Sequence, residues 1–211
     1  SKEGLAGETE GDYELASSPV EPVKKNAMAL HYVKKGFVAV AVDNPSCAEL
    51  SDNGHFDYLN TSRILLEMGW SYLGLTAWQD WNILNWMKTQ NYVDKERIIV
   101  SGFSLGTEPL MVLGALDPSI YAFVYNDFMC RTLERILVMT QPDSKGVRPF
   151  PNSIEHLIPG FLKQFDFPDL VAALAPRPVI CTEGGLDLDF NLIKKAYRLS
   201  GKPDNFTFYH Y

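Results

Sequence analysis

The residues best suited to chemistry form one pentapeptide, Gly102-Phe103-Ser104-Leu105-Gly106. An apolar segment, Ile98 to Ser101, runs straight into it and predicts a buried strand, and residues 105–116 predict a helix. A serine at such a sharp strand-to-helix turn exposes its hydroxyl at the edge of a sheet, and glycines beside it leave room for the turn. We therefore predict that Ser104 is a nucleophile and that both glycines are sterically required. An ordinary tight turn is the alternative.

A neutral serine attacks a carbonyl only when a base takes its proton and an acid orients the base. Acidic residues follow two predicted strands. Asp187 lies in a short acidic loop after the strand Pro178 to Thr182 and is the predicted acid, with Glu183 and Asp127 as alternatives. Asp189 fits the capping of the next helix better.

The base is harder to place among the four histidines. His31 and His55 precede the serine, and His156 lies in a later segment that contains several prolines. His210 alone follows Asp187, but it lies within the last predicted strand. A histidine that reaches back to the serine needs a loop, so His210 is a weak candidate and we expect the base beyond Tyr211.

Elements that could position these residues alternate along the chain. Apolar runs predict five strands, at residues 36–43, 97–101, 122–126, 178–182 and 206–210, mostly separated by helical segments. Because parallel strands need long crossovers, this order predicts the α/β class: a three-layer α/β/α sandwich with a mainly parallel sheet, over a single domain 1–211. Residues 131–160 interrupt the alternation and predict an insertion or lid above the strand ends.

A long helical region from Tyr58 to Lys88 is predicted to be divided at Gly69 and Gly74. Its aromatic residues could stack on a sugar, but their helical spacing favours a place in the core. They are Trp70, Trp78, Trp81 and Trp86. Arg131 and Arg135, after the third strand, could bind a uronate or another acidic substrate, and a solvated helix face is the alternative.

Composition excludes several classes of partner. The net charge is -7 and no run of Lys or Arg is present, which argues against a nucleic-acid or acidic-membrane partner. No apolar stretch approaches the roughly 20 residues that span a membrane. The three cysteines show no metal-binding spacing, and no phosphate-binding or dinucleotide motif is present, so we predict neither metal nor cofactor.

Several segments together resemble the acetyl xylan esterase and dienelactone hydrolase-like branch of the α/β-hydrolases. They are Trp78-Gln79-Asp80, Val93-Asp94-Lys95-Glu96-Arg97-Ile98, the pentapeptide around Ser104, Ala175-Pro176-Arg177-Pro178 and Glu183-Gly184-Gly185-Leu186-Asp187. The resemblance covers nearly the whole chain. It implies the α/β-hydrolase fold, Ser104 as nucleophile, Asp187 as acid and the backbone N–H of Leu105 as one oxyanion donor.

The resemblance also implies a function. We expect a serine carboxylesterase that works through an acyl-serine intermediate, on acetyl esters of plant polysaccharides or small-molecule esters, in the periplasm or outside the cell. A peptidase of the prolyl oligopeptidase type and a non-catalytic carbohydrate-binding relative remain alternatives. The oligomeric state is not predicted.

Two features depart from the family pattern. Family members have early strands and a late histidine loop that this sequence does not show, so we expect a fragment of a longer enzyme. Thr107-Glu108 follow Gly106, where many relatives have a further glycine. Glu108 is expected to be a buried, hydrogen-bonded residue without a role in chemistry.

Overall fold

The computed structural model describes residues 27–52, 57–126, 131–132, 144–146, 154–183 and 187–210, with the side chains of residues 187 and 188 left out. The chain divides into two compact units, Ser1–Ile64 and Leu65–Tyr211. The prediction of a single domain stays a prediction. Asp127, Arg135 and His55 lie outside the described residues.

The first unit contains helix α1 (Met28–Val33), a 3₁₀ turn (Ala48–Leu50) and most of helix α2 (Tyr58–Glu67), which continues across the boundary. The strand predicted at residues 36–43 is wrong, because this segment is not assigned to any strand. Phe37 and Val38 in it are 47% and 57% exposed. An apolar run predicts burial, but a strand also needs a neighbour to complete its hydrogen-bond ladder.

The second unit alternates strands and helices. The strands are β1 (Ile99–Phe103), β2 (Ala122–Asn126), β3 (Val179–Thr182) and β4 (Phe206–Tyr209), and the helices are α3 (Tyr72–Met87), α4 (Glu108–Leu116), α5 (Phe167–Ala172) and α6 (Asp187–Leu199). The four strands pair in the order β1-β2-β3-β4, and every pair is parallel. The α/β class with a parallel sheet is therefore confirmed, with four described strands in place of five.

The division of the long helical region occurs once, not twice. Gly69 ends α2 with φ +77, a conformation that favours glycine. Ser71 then caps α3 by accepting a hydrogen bond from the N–H of Gly74, at 3.0 Å. Gly74 lies inside α3, where a Cβ would lie 2.9 Å from the Ser71 hydroxyl.

The core lies between the sheet and helices α3 to α6. Phe123 and Val179 of the sheet and Met111 of α4 are fully buried. Gly114 allows α4 to pack closely on β2, since a Cβ there would meet the Phe123 ring at 2.6 Å. This packing fixes the helix that follows Ser104 against the strand beside it.

The prediction that the tryptophans belong to the core is wrong. Their exposed fractions are 56% for Trp70, 61% for Trp78, 42% for Trp81 and 52% for Trp86. Helix α3 is apolar on more than one side, and its buried residues are Tyr72, Leu73, Thr76, Ala77 and Leu84. Trp70 and Trp78 instead line a cleft of about 390 Å³ together with Ile158 and Pro159.

Candidate active site around Ser104

Ser104 lies where β1 ends and a 3₁₀ turn (Ser104–Thr107) leads into α4. Its φ is +51, which is rare for a residue with a side chain and stores strain. A Cβ on Gly102 would lie 2.4 Å from the carbonyl oxygen of Gly106, so only glycine fits at that position. The predicted strand–turn–helix is thus present, and Ser104 lies at the carboxyl end of a parallel strand.

Gly106 does not need to be glycine for steric reasons. A Cβ there would meet no described atom within 4 Å, and its φ is not positive. The prediction that both glycines are sterically required is therefore wrong for Gly106. The turn closes so that the backbone of Gly106 packs against Gly102. Only the position of Gly102 therefore excludes a side chain.

The peptide units after Ser104 are held by the next turn of the chain. The Thr107 hydroxyl donates to the Ser104 carbonyl at 2.8 Å, and the N–H of Glu108 donates to the Leu105 carbonyl. The Leu105 side chain packs against the core. The N–H of Leu105, the predicted oxyanion donor, therefore belongs to a peptide unit whose carbonyl is fixed.

Polar side chains join the carboxyl ends of three adjacent strands. Asn126 at the end of β2 donates to the Gly102 carbonyl at 3.1 Å, and its own side-chain carbonyl accepts from the Thr182 hydroxyl of β3 at 3.0 Å. These bonds connect β1, β2 and β3 beside the Ser104 turn. They restrain the strand end that carries Ser104.

A buried contact between a carboxylate and an imidazole lies at the start of α4. Glu108 is fully buried, and its carboxylate lies 2.8 Å from Nδ1 of His156, which is 9% exposed. Burying a carboxylate without a partner is costly, so this contact makes the burial possible. The expectation that Glu108 is buried and hydrogen-bonded is confirmed.

Two further buried carboxylates hold the start of the 131–160 segment. Asp189 is fully buried and accepts hydrogen bonds from Nε of Arg131 at 2.8 Å and from its N–H at 3.3 Å. Asp166, the N-cap of α5, accepts from both the N–H and the hydroxyl of Thr132, each at 2.7 Å. Asp189 is not the predicted cap, because α6 begins two residues earlier. Arg131 does not lie on a solvated helix face, because its side chain binds the buried Asp189.

Two of the alternatives for acid and base, Glu183 and His210, lie together at the carboxyl ends of β3 and β4. Nδ1 of His210 lies 2.9 Å from the Glu183 carboxylate, in a pair that is 74% and 36% exposed. Glu183 follows β3, two strands from β1, and strands lie about 4.8 Å apart, so this pair is about 10 Å from the strand of Ser104. No described histidine hydrogen-bonds the Ser104 hydroxyl. Asp187 is the first residue of α6.

The remaining described groups do not suggest another nucleophile or a metal centre. Burial raises the pKa of the Cys181 thiol to about 12, so this cysteine is neutral and unreactive. Within the described ranges, no three His, Cys, Asp or Glu side chains could hold a metal ion. None of the described helices has both the length and the apolar character to cross a membrane.

Sequence reasoning did not identify the roles of Thr107, His156, Asn126 or Thr182. Thr107 did carry a signal, because it stands where the family pattern has glycine. Asn126 is the polar end of an otherwise apolar strand, which is a weaker signal. The partner of Glu108 lies 48 positions away, and spacing alone gives no indication of such a pair.

The comparisons with known proteins agree with this geometry. The Abhydrolase family model matches residues 1–211. A candidate acetyl xylan esterase from Bacteroides fragilis is similar to the chain, with 58% identity and a TM-score of 0.87. The match covers 99% of this chain and 55% of that protein, so the chain spans about half of its relative's length.

More distant structures match parts of the chain. A carbohydrate esterase family 15 glucuronoyl esterase from Caldicellulosiruptor kristjansonii has 20% identity and a TM-score of 0.48, over 79% of this chain and 52% of that one. A glucuronoyl esterase from Sporotrichum thermophile has 15% identity and a TM-score of 0.48, over 68% and 46%. Both likenesses are too distant to inform on the chemistry of this chain.

Among curated protein sequences none matches the chain. The family model and the Bacteroides fragilis relative nevertheless cover essentially all of it, and they confirm the resemblance that the motifs predicted. The chain belongs to the Abhydrolase family, and its parallel sheet with the turn at Ser104 is part of an α/β-hydrolase fold.

Proposed function

We propose that this chain carries the nucleophile of a serine carboxylesterase that hydrolyses acetyl esters of carbohydrates. The observation that carries the proposal is the left-handed backbone of Ser104 at the carboxyl end of β1, with φ +51 and no space for a side chain at Gly102. A strained serine persists only where its surroundings hold it, and such strain is found at functional sites. The substrate class is taken from the candidate acetyl xylan esterase that is 58% identical.

The reaction begins with attack of the Ser104 hydroxyl oxygen on the ester carbonyl, while a histidine accepts the hydroxyl proton. The tetrahedral oxyanion is bound by backbone donors, among them the N–H of Leu105, each worth roughly 3 to 4 kcal/mol of transition-state stabilisation. The alcohol leaves with the proton from the histidine. Water then gives a proton to the histidine and attacks the acyl-serine. The bond between the acyl carbon and the Ser104 oxygen breaks, acetate leaves, and the histidine returns the proton to Ser104.

Asp187 is our proposed orienting acid. It is the first residue of α6 and follows β3, so its backbone lies at the same edge of the parallel sheet as Ser104. None of the described histidines hydrogen-bonds the Ser104 hydroxyl, and we assign the base to none of them.

The first test is labelling of the protein with a fluorophosphonate, followed by peptide mapping, with S104A and S200A compared. Ser200 lies at the exposed end of α6, so S200A is a matched serine-to-alanine control. We expect a label on Ser104 in the wild type and in S200A, and none in S104A. Folded wild-type protein without a label would contradict the proposal.

A second measurement addresses the substrate. We expect wild-type protein that has not been treated with the label to release acetate from acetylated xylo-oligosaccharides faster than it cleaves proline-containing peptide amides. Faster amide cleavage would instead indicate a peptidase of the prolyl oligopeptidase type. If Ser104 takes the label but the untreated protein neither releases acetate nor cleaves the peptide amides, the acetyl ester is contradicted as the substrate.

A further inference from the structure

Thr107 is fully buried, and its hydroxyl hydrogen-bonds the carbonyl of the nucleophilic residue at 2.8 Å. We propose that this hydroxyl is a positioning group, which sets the direction of the Leu105 N–H and so builds one half of the oxyanion site. The proposal rests on the proposed function, because it assumes that Ser104 attacks and that Leu105 binds the oxyanion.

The link between the hydroxyl and the N–H is the planarity of the peptide bond. The Ser104 carbonyl and the Leu105 N–H belong to one rigid unit, and in a trans peptide they point in opposite directions. A bond that fixes the carbonyl oxygen therefore fixes the N–H as well. A hydrogen bond accepted by the carbonyl also polarises the unit, which makes the N–H a stronger donor.

The position of this bond distinguishes it from similar bonds elsewhere in the chain. Hydroxyls in helices often bond a carbonyl of the preceding turn, as Thr76 does with Tyr72 at 3.0 Å in α3. There the peptide unit is already part of a regular helix. At Ser104, where φ is +51, the backbone conformation is strained and needs external contacts to persist.

A second contact supports the same role for this part of the chain. The N–H of Glu108 donates to the carbonyl of Leu105, so the peptide units on both sides of Leu105 are held. The buried contact of Glu108 with His156, at 2.8 Å, in turn fixes Glu108. Thr107 and Glu108 are the two positions at which the chain departs from the family pattern.

The test removes the hydroxyl and nothing else from the turn. T107V keeps a branched side chain but lacks the donor, T107S keeps the donor, and T76V makes the same change at a buried threonine in α3. The 3₁₀ turn also directs the backbone N–H of Thr107 toward the Ser104 carbonyl, three residues earlier. None of these substitutions removes that N–H, so the variants at Thr107 test the hydroxyl. Each variant is checked for folding by urea unfolding.

We expect kcat for an acetyl ester to fall about tenfold in T107V with KM unchanged, because the lost interaction acts only in the transition state. T107S and T76V should remain within about twofold of the wild type. T107V with wild-type kcat, or an equal loss in T107S and T107V, would overturn the proposal. If T107V does not fold, T107A replaces it in the comparison with T107S.

A measurement that needs no activity separates this proposal from the proposed function. The ¹⁵N chemical shift of the Leu105 amide responds to the hydrogen bond on the Ser104 carbonyl, so it should change in T107V and stay near the wild-type value in T107S. An unchanged shift in T107V would overturn the positioning role even in an active enzyme. If the wild type proves inactive, the proposed function fails and this shift alone decides whether Thr107 sets the peptide unit.

Discussion

Gly102 and Gly106 are symmetric about Ser104 in the sequence but not in space. A Cβ on Gly102 would approach the Gly106 carbonyl to 2.4 Å, whereas one on Gly106 would meet no described atom within 4 Å. Real Cβ atoms do not approach a carbonyl that closely, so the turn must open if Gly102 is replaced. The backbone conformation of Ser104 therefore depends on one glycine.

This asymmetry predicts different outcomes for two similar substitutions. G102A should destabilise the protein by about 1 to 3 kcal/mol, the usual cost of overpacking, and should abolish labelling of Ser104. G106A should change the free energy of unfolding by less than about 0.5 kcal/mol and retain the label. Urea unfolding and fluorophosphonate labelling of both variants check this, and equal effects would contradict the asymmetry.

The tight turn at the pentapeptide was predictable from the sequence, but the contacts around that turn were not. The pattern Gly-x-Ser-x-Gly indicates a tight turn and predicts a nucleophile at its serine. It does not reveal which glycine is close to another backbone, because that depends on how the 3₁₀ turn closes. Asp189 shows the same limit: its sequence position suggested a cap, and the structure places it in a buried pair with Arg131.

Helix α4 is the element on which the site depends, and its first residue is attached to a distant segment. Glu108 and His156 form a contact of 2.8 Å in which both side chains are buried. Removal of one partner takes a buried polar contact away from the other, which is costly, whereas removal of both can cost less than the two single losses together. The pair thus joins α4 to the 3₁₀ turn Ile154–His156.

We predict a strong coupling between these two residues in a double-mutant cycle. H156A and E108A should each lose about 2 to 4 kcal/mol of stability, and the double variant should lose less than the sum by at least about 1 kcal/mol. Urea unfolding of the four proteins measures the coupling. As a control, the cycle is repeated with the exposed pair Asp94 and Arg97, for which the losses should be additive within the error of the measurement. Additive losses at Glu108 and His156 would refute the coupling.

The order of elements was largely predictable from the sequence, because alternating apolar runs and helical segments specify a parallel sheet with crossovers. The strand predicted at residues 36–43 failed because its apolar character says nothing of a pairing partner. The prediction that the tryptophans lie in the core was wrong for a related reason. Helix α3 has apolar side chains on several sides, and periodicity alone cannot tell which side faces the core.

Two acidic residues in the second unit affect the pH dependence of the whole fold in opposite directions. Burial raises the pKa of Asp80 from its ordinary value of 3.8 to about 7. Burial would also raise the pKa of Asp117, but hydrogen bonds from Lys88 and Ser119 outweigh it and lower the pKa below 3.8. Lys88 and Asp117 are 2.8 Å apart and join the end of α3 to the end of α4.

The sign of each contribution follows from where the proton is released. In the unfolded chain Asp80 ionises near pH 3.8, whereas in the folded protein it ionises near pH 7, so Asp80 reduces stability progressively as the pH rises between these values. Above pH 7 the full penalty applies, and below pH 4 it is absent. Asp117 does the reverse, because its stabilisation is present above the unfolded pKa and is lost as the pH falls through the folded one.

We therefore predict that D80N stabilises the protein at pH 8, by roughly 2 to 4 kcal/mol, and has little effect at pH 4, since one pKa unit corresponds to about 1.4 kcal/mol. D117N, the matched aspartate-to-asparagine control, should destabilise at pH 8, and its effect should fade as the pH drops below about 4. Urea unfolding of the three proteins between pH 4 and pH 8 gives both differences. If the difference in unfolding free energy between D80N and the wild type is the same at every pH, the pKa of Asp80 is not raised in the folded protein. The Asp80 carboxylate is then stabilised by groups beyond its immediate buried surroundings.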